Sequence, residues 1–313
     1  MRRHFTCNGN RPLTNMKSTE KAQAKVWLIT DGGSPLGKVL AEAALGGGFR
    51  VAVGYKPGAE LGSVPWHAEF EKRYGDSYLA VEMDLGNKPM CQTSLITLLR
   101  KWQRLDILVL CPCRLAVVGT IEEAAEWHVR EQLEVGFYGP VNIITAVLPT
   151  MRRQRSGHIV VVTGISGYMG TPSLGLVSAA NHALEGYAEA MAFEVSTFDI
   201  KVTIVEPSVE ATVLTGALVY ARQLDHYKGT VADQVRRLVT GAEVDAEELV
   251  RDTAFAITNV AGIDNPPGRI VAGAEAIDAT KDKLRTVSEE LEDMLEVSYA
   301  ADTEPLERPP MHE

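Results

Sequence analysis

Short apolar runs alternate with longer segments of helical periodicity along most of this chain. Seven runs predict strands, at Lys25–Thr30, Arg50–Gly54, Tyr78–Met83, Asp106–Cys111, His158–Thr163, Lys201–Glu206 and Arg269–Ala272. The segments between them predict helices at Leu36–Ala44, Pro89–Gln103, Ala124–Met151, Ser173–Thr197 and Ala276–Val297. Apolar strands that alternate with amphipathic helices form a parallel sheet with helices on both faces. The pattern therefore predicts an α/β fold, a doubly wound parallel sheet in a three-layer αβα sandwich.

The two ends of the chain lack this alternation. Residues 1–24 have no apolar periodicity and predict a disordered N-terminal arm, and residues 301–313 predict an acidic, Pro-rich tail. No linker or internal repeat divides the stretch between them, so we expect a single domain over residues 25–300. The arginines of the arm also suit a mitochondrial transit peptide, but we favour a plain extension and a cytoplasmic protein.

Composition narrows the class of protein further. The 313 residues are 45% hydrophobic and 23% charged, which is typical of a globular protein and argues against a disordered or fibrous one. No apolar run approaches the roughly 18 residues of a membrane span. The net charge is −10 and no basic stripe is present, which argues against nucleic acid as a partner. Four cysteines without a histidine cluster predict neither a disulfide framework nor a metal site.

The turn after the first strand is glycine-rich, with the sequence Thr30-Asp31-Gly32-Gly33-Ser34-Pro35-Leu36-Gly37. Such a turn binds dinucleotide phosphates, because free N–H groups and the helix dipole point at it. With this turn and the segments that follow in order, the chain resembles the short-chain dehydrogenase/reductase family. Those segments are Met83–Leu85, Leu105–Val109, Ala146–Pro149, Ser156–Thr163, His182–Tyr187, Thr203–Pro207 and Asn265–Gly273. The resemblance runs from about Lys25 to Thr303 and implies a Rossmann-like fold.

The glycine-rich turn departs from the family's T-G-x-x-x-G-x-G pattern. The first and second glycines fall on Asp31 and Pro35, and only the third, Gly37, is present. Asp31 brings a carboxylate toward the place of the pyrophosphate, and Pro35 removes an N–H donor. The cofactor-binding candidates that remain in the turn are Gly32, Gly33, Leu36 and Gly37. We expect impaired phosphate binding, with a shifted but usable turn as the alternative.

Three other positions bear on a cofactor. Asp84 resembles the family's adenine contact and Thr212 its carboxamide contact, although capping and turn roles explain both residues equally well. Lys56 follows the second strand, where an acidic residue would select NAD. The expectation is therefore either no cofactor or weak binding of NADP.

The resemblance also implies a catalytic set of Asn, Ser, Tyr and Lys, and none of the four is present. Their positions are held by Gly136, Gly164, Val177 and Asn181, in a register fixed by Pro172. A valine cannot donate a proton, and an amide cannot supply the positive charge that lowers the pKa of a tyrosine. We therefore expect that conventional hydride transfer has been abandoned.

Four polar residues near the expected cleft are candidate substitutes for the missing groups: Ser166, Tyr168, Tyr138 and Glu210. An isolated polar residue is more often structural than catalytic. The small and apolar residues at the four family positions predict a roomier, drier cleft that suits an apolar small molecule.

Three functions stay open from sequence. The first is a pseudoenzyme that senses a ligand or supports a partner, and the second is a repurposed non-redox enzyme such as an isomerase, dehydratase or cyclase. The third is an NADP-dependent oxidoreductase of a lipophilic alcohol or ketone that uses a non-standard acid. Apolar helices at Val135–Met151 and Leu176–Val195 predict a homodimer or homotetramer, or a heteromer with an active relative.

Overall fold

The computed structural model describes residues 24–58, 65–111, 115–208, 217–240, 246–261, 263–295 and 297. The strands are β1 (Val26–Ile29), β2 (Arg50–Tyr55), β3 (Tyr78–Glu82), β4 (Ile107–Leu110), β5 (Leu115–Val118), β6 (Gly157–Val162), β7 (Ile200–Pro207), β8 (Ala217–Tyr220) and β9 (Arg269–Ala272). The helices are α1 (Pro35–Gly46), α2 (Pro65–Tyr74), α3 (Lys88–Trp102), α4 (Glu126–Leu133), α5 (Gly139–Gln154), α6 (Gly175–Val195), α7 (Val231–Thr240), α8 (Ala246–Ala261) and α9 (Ala274–Asp293).

Seven strands form one parallel sheet in the order β3-β2-β1-β4-β6-β7-β9. In its centre, Trp27 of β1 lies in register with Val51 of β2 and Ile107 of β4. From β1 the chain continues to β2 and β3 on one side of the sheet, and from β4 it continues to β6, β7 and β9 on the other side. In such sheets the connections diverge at this point and leave a crevice at the carboxyl ends of the strands.

Helices cover both faces of the sheet, which confirms the predicted three-layer sandwich. On one face, α3, α5 and α6 pack over buried residues that include Leu28, Leu108 and Ile159. On the other face, α1, α2 and α8 pack over a second cluster that includes Trp27 and Val51. Because both sides of the central strands are covered, all four residues of β1 are fully buried, as expected of a strand in a parallel sheet.

The structure adds elements that the apolar pattern did not predict. Strands β5 and β8 form a separate two-stranded parallel sheet, in which Leu115 pairs with Ala217 although the two residues are far apart in sequence. The predicted helix Ala124–Met151 is interrupted by a π-helical segment, Glu134–Tyr138, so that it becomes α4 and α5. Both departures lie at the edge of the crevice, where irregular structure shapes a site.

Residues 217–240, which we name the cover segment, are joined to the body of the protein by the β5–β8 pairing and by hydrogen bonds, several of them to one buried carboxylate. The Glu123 side chain is 1% exposed and accepts hydrogen bonds from the N–H of Leu224 at 2.8 Å and of Thr120 at 2.9 Å. It also pairs with Arg236 at 3.4 Å, and Arg236 donates to the Ala221 carbonyl at 2.6 Å. This contact positions β8 beside β5 at the mouth of the crevice.

Candidate functional site

A cleft of about 530 Å³ opens at the carboxyl ends of β1, β3 and β4, beside the reversal in strand order. Its inner wall is apolar and includes the buried side chains of Met83, Leu110, Val162 and Leu184. Its remaining lining is Thr30, Asp31, Lys56, Asp84, Leu85, Gly86, Asn87, Cys111, Leu115, Glu131, Glu134, Val135, Gly136, Pro140, Asn181 and Ala217. An apolar cavity with a few polar groups at a switch point is the usual form of a small-molecule site in this architecture.

The glycine-rich turn is closed by a cap at the start of α1. The Ser34 hydroxyl accepts a hydrogen bond from the N–H of Gly37 at 3.0 Å and donates to the carbonyl of Asp31 at 2.9 Å. A Cβ on Gly37 would overlap that same carbonyl, so only glycine allows the helix to approach the turn this closely. The one family glycine that this chain keeps therefore has a structural role here.

Few N–H groups of the turn are left to bind an anion. The N–H of Gly32 donates to the Gly54 carbonyl at 2.8 Å, that of Gly37 is used by the cap, and Pro35 has none. Within the described residues this leaves the N–H groups of Gly33 and Leu36. The carboxylate of Asp31, a residue only 8% exposed, lies next to them, with one oxygen 3.7 Å from where a Cβ on Gly33 would sit.

The wall opposite the turn is acidic as well. One oxygen of Asp84 accepts a hydrogen bond from the N–H of Gly86 at 3.1 Å. A Cβ on Gly86 would lie 3.5 Å from that oxygen and 3.6 Å from an oxygen of Glu134, so the two carboxylates lie near each other beside this glycine. Glu131 adds a further carboxylate, and Lys56 is the one basic side chain of the described lining. The turn and wall together fit a dinucleotide diphosphate poorly, because like charges repel and donors are few.

Two of the four family catalytic positions line the cleft. Gly136 is buried in the π-helical segment, and Asn181 of α6 is 5% exposed. The Asn181 amide donates to the Thr163 carbonyl at 2.7 Å and to the Ser166 hydroxyl at 2.8 Å. The amide is thus used to join α6 to the end of β6. Both residues border the cleft at the carboxyl ends of the strands.

Val177 lies one helical turn before Asn181 and does not line the cleft. It is 1% exposed and packs in an apolar cluster with Val118, Leu174 and Val239. No side chain in that cluster can donate a proton. The position that a tyrosine holds in the family is therefore part of the contact between α6, β5 and the cover segment.

Gly164, at the fourth family position, has a backbone that other residues rarely adopt. Its φ is 95° and its ψ is 163°, and its carbonyl accepts the N–H of Gly167 at 2.9 Å in the turn Ile165–Gly167. This region of φ and ψ is essentially restricted to glycine. A serine cannot take this position without a change in the path of the chain, so the difference from the family extends to the backbone.

The structure brings none of the described substitute candidates into the cleft lining. Ser166 is 1% exposed and bonded to Asn181, and the ring of Tyr168 lies over Arg269, 5.9 Å from its guanidinium carbon. Tyr138 is 54% exposed on the outer surface of the π-helical segment. Glu210 and the proposed carboxamide contact Thr212 lie outside the described residues. Their roles stay predictions.

A buried ion-pair cluster behind Asn181 was missed from sequence. Glu185 accepts a hydrogen bond from the Thr163 hydroxyl at 2.7 Å and pairs with Arg269 at 2.7 Å. Arg269 also pairs with Glu206, which is fully buried on β7, and with Glu189 at 2.6 Å. Burial raises the pKa of Glu185, while the Thr163 hydrogen bond and the charge of Arg269 act in the opposite direction. No local signal marks this cluster, because its members are distant in sequence.

Two further properties of the described part of the chain bear on its class. None of its helices combines the length and apolar character that a bilayer crossing requires. Within the same residues, no three His, Cys, Asp or Glu side chains converge on a point where a metal ion would bind.

A doubly wound parallel sheet with a glycine-rich turn at its switch point defines a Rossmann-type α/β protein. The family model described as short chain dehydrogenase matches residues 25–223 of this chain. The chain belongs to the short-chain dehydrogenase family.

Several relatives and solved structures are similar to this protein. The 3-ketodihydrosphingosine reductase of Bacteroides thetaiotaomicron is 29% identical over 257 residues, covering 80% of this chain and 88% of that protein. Oxidoreductase BOA17 of Botryotinia fuckeliana is 27% identical over 282 residues, covering 88% and 99%. The crystal structure of a short-chain dehydrogenase from Streptomyces avermitilis superposes with a TM-score of 0.78 at 30% identity, covering 89% of this chain and 99% of that chain.

Proposed function

We propose that this family member binds an apolar small molecule in the cleft and does not carry out tyrosine-dependent hydride transfer. The observation that supports this most directly is the packing of Val177, 1% exposed among apolar side chains where a proton donor would be needed. Reduction of a carbonyl requires a proton as well as a hydride, and a group in hydrogen-bond reach must supply it. Gly136 and Gly164 leave no side chain to replace that donor.

Binding without turnover and a non-redox reaction both fit this proposal. A pseudoenzyme would bind its ligand against Met83, Leu110 and Leu184 and present the bound state to a partner. An isomerase, dehydratase or cyclase would need a group that moves a proton, and the carboxylates of Asp84 and Glu134 at the cleft wall are able to do so. Either reading treats the inner wall as the binding surface.

A titration of the purified full chain tests the proposal. The neutral apolar dye N-phenyl-1-naphthylamine should bind with one-to-one stoichiometry and gain fluorescence, whereas NADPH should bind only weakly. Ala217→Trp, at the cleft lining, should weaken dye binding by blocking the entrance. Ala183→Trp, on the exposed face of α6, is the matched control and should leave dye binding unchanged. Tight NADPH binding together with reduction of a carbonyl compound would overturn the proposal.

A second candidate is an NADP-dependent oxidoreductase of a lipophilic alcohol or ketone with a non-standard acid. Two observations favour it: relatives that carry the names reductase and oxidoreductase, and Lys56 at the cleft, where it would attract a 2′-phosphate. This candidate requires that Lys56→Ala weaken NADPH binding. The same titration therefore separates the two functions.

We also propose that α5 and α6 mediate a homodimer or homotetramer, with a heteromer containing an active relative as the alternative. The support is the apolar character of the two predicted segments, Val135–Met151 and Leu176–Val195, together with Phe193 on α6, which is 83% exposed. Light scattering after size exclusion should give at least twice the chain mass of 34.0 kDa. A mass that stays at 34.0 kDa for wild type would contradict the dimer. The cytoplasmic location and the single domain over residues 25–300 stay predictions.

A further inference from the structure

We infer that the cleft selects an organic cation, a protonated amine carried on an apolar body, over neutral and anionic ligands of the same size. This inference rests on the proposed function, because it presumes that the cleft binds a small molecule. The cavity of about 530 Å³ at the strand ends establishes the site. The charges of its lining decide the class of ligand.

Among the described residues, the lining of the cleft carries four carboxylates and one ammonium group. The acidic residues are Asp31, Asp84, Glu131 and Glu134, and the basic one is Lys56. These charges come from four separate parts of the chain that the fold brings together, namely the glycine-rich turn, the ends of β2 and β3, and the helical segment before α5. A cleft lined by one sign of charge concentrates the field and attracts ligands of the opposite sign.

The geometry at Gly86 suits an ammonium group. Oxygens of Asp84 and Glu134 lie 3.5 Å and 3.6 Å from the position of a Cβ built on this glycine, so the two carboxylates lie near each other at the cleft wall. An ammonium group has three N–H donors and no acceptor, so it can bond to more than one carboxylate at once. From these carboxylates, the apolar body of the ligand would extend along Met83 and Leu184 on the inner wall.

The same features disfavour the anionic cofactor typical of the family. A diphosphate placed against the turn would meet the carboxylate of Asp31 and find no N–H on Pro35. Its charge would be opposed by the carboxylates of the facing wall, and Lys56 is the one basic side chain in the described part of the lining that would attract it. The cleft should therefore prefer cationic to anionic ligands, whereas a dinucleotide site binds an anion.

A charge series tests the inference on the wild-type full chain. Decylamine, 1-decanol and decanoate share one chain length and differ in head-group charge at pH 7.5, and each is titrated against bound N-phenyl-1-naphthylamine below its micelle concentration. Decylamine should displace the dye at a concentration about tenfold lower than decanol, equivalent to about 1.4 kcal/mol. Decanoate should be the weakest, and added salt should reduce the differences because it screens charge.

Variants locate the effect in the cleft. Asp84→Asn combined with Glu134→Gln should reduce the preference for decylamine over decanol while decanol binding stays unchanged. Glu126→Gln is the matched control, since Glu126 lies on α4 outside the cleft lining and pairs with Arg130 at 2.7 Å. Its preference should equal that of wild type.

The outcomes distinguish this inference from the proposed function. If the three amphiphiles displace the dye equally, the cleft binds small molecules but the charge preference is wrong. If the dye itself does not bind, the proposed function fails, and if the dye binds but none of the three displaces it, the inference alone fails. If decanoate or NADPH binds more tightly than decylamine, the inference is overturned and the cleft is an anion site.

Discussion

Restoring a serine at Gly164 should destabilise the fold, because the backbone there excludes side chains. With φ at 95° and ψ at 163°, Gly164 occupies a region that costs a non-glycine residue about 1–3 kcal/mol. Gly164→Ser should therefore lower the free energy of unfolding by about that amount, less the roughly 0.4–1 kcal/mol gained by restricting the unfolded chain. The same strain would oppose any simple restoration of the family's catalytic serine.

Gly170→Ser provides the matched control in the same loop. Gly170 has an ordinary φ, and a Cβ built on it would meet no atom within 4 Å. Both variants restrict the unfolded chain equally, so the difference between their unfolding free energies isolates the strain at Gly164. Urea unfolding followed by the fluorescence of the buried Trp27 and Trp102 measures that difference. Equal stability of the two variants would refute the assignment of a glycine-only backbone.

Three further predictions follow from buried charge and hydrogen bonding. Burial lowers the pKa of His158 to about 4, so the folded state favours the neutral imidazole. The free energy of unfolding should therefore fall by about 3 kcal/mol as pH drops from 6.5 to 4. His158→Gln should lack this loss. Arg269→Met should cost about 3–5 kcal/mol on urea unfolding, because it leaves Glu206 charged and buried without its partner. Glu123→Ala should loosen the cover segment and make a protease cut it faster than in wild type.

Each of these has a result that would contradict it. The His158 prediction fails if wild type and His158→Gln lose stability in parallel on acidification. If Arg269→Met unfolds at the same urea concentration as wild type, the pairing with Glu206 contributes nothing. Glu126→Ala controls for the loss of a carboxylate near Glu123, and equal cleavage patterns in the two variants would show that the cover segment is held by other contacts.

The apolar pattern predicted the seven strands of the main sheet and the helices α1, α3, α5, α6 and α9, but it did not predict α2, α7 and α8. The strand Arg269–Ala272 has the predicted bounds, and β6 and β7 differ from prediction by one residue at each end or less. Strands β5 and β8 were missed because they lie outside the main alternation of strands and helices and pair with each other across a long stretch of sequence. The break of the long helix at Glu134–Tyr138 was missed because a π-helical turn has no distinct apolar period.

For the site, the sequence determined which chemical groups exist, and the tertiary structure decided which of them meet. Val177 and Asn181 could be identified as replacements by counting along the chain, since the family spacing is local. The proximity of Asp84 to Glu134 depends on where separate connections converge at the strand ends, and the Glu185–Arg269–Glu206 cluster depends on contacts between α6, β7 and β9. Such contacts are set by the packing of distant segments, so only the folded chain could show them.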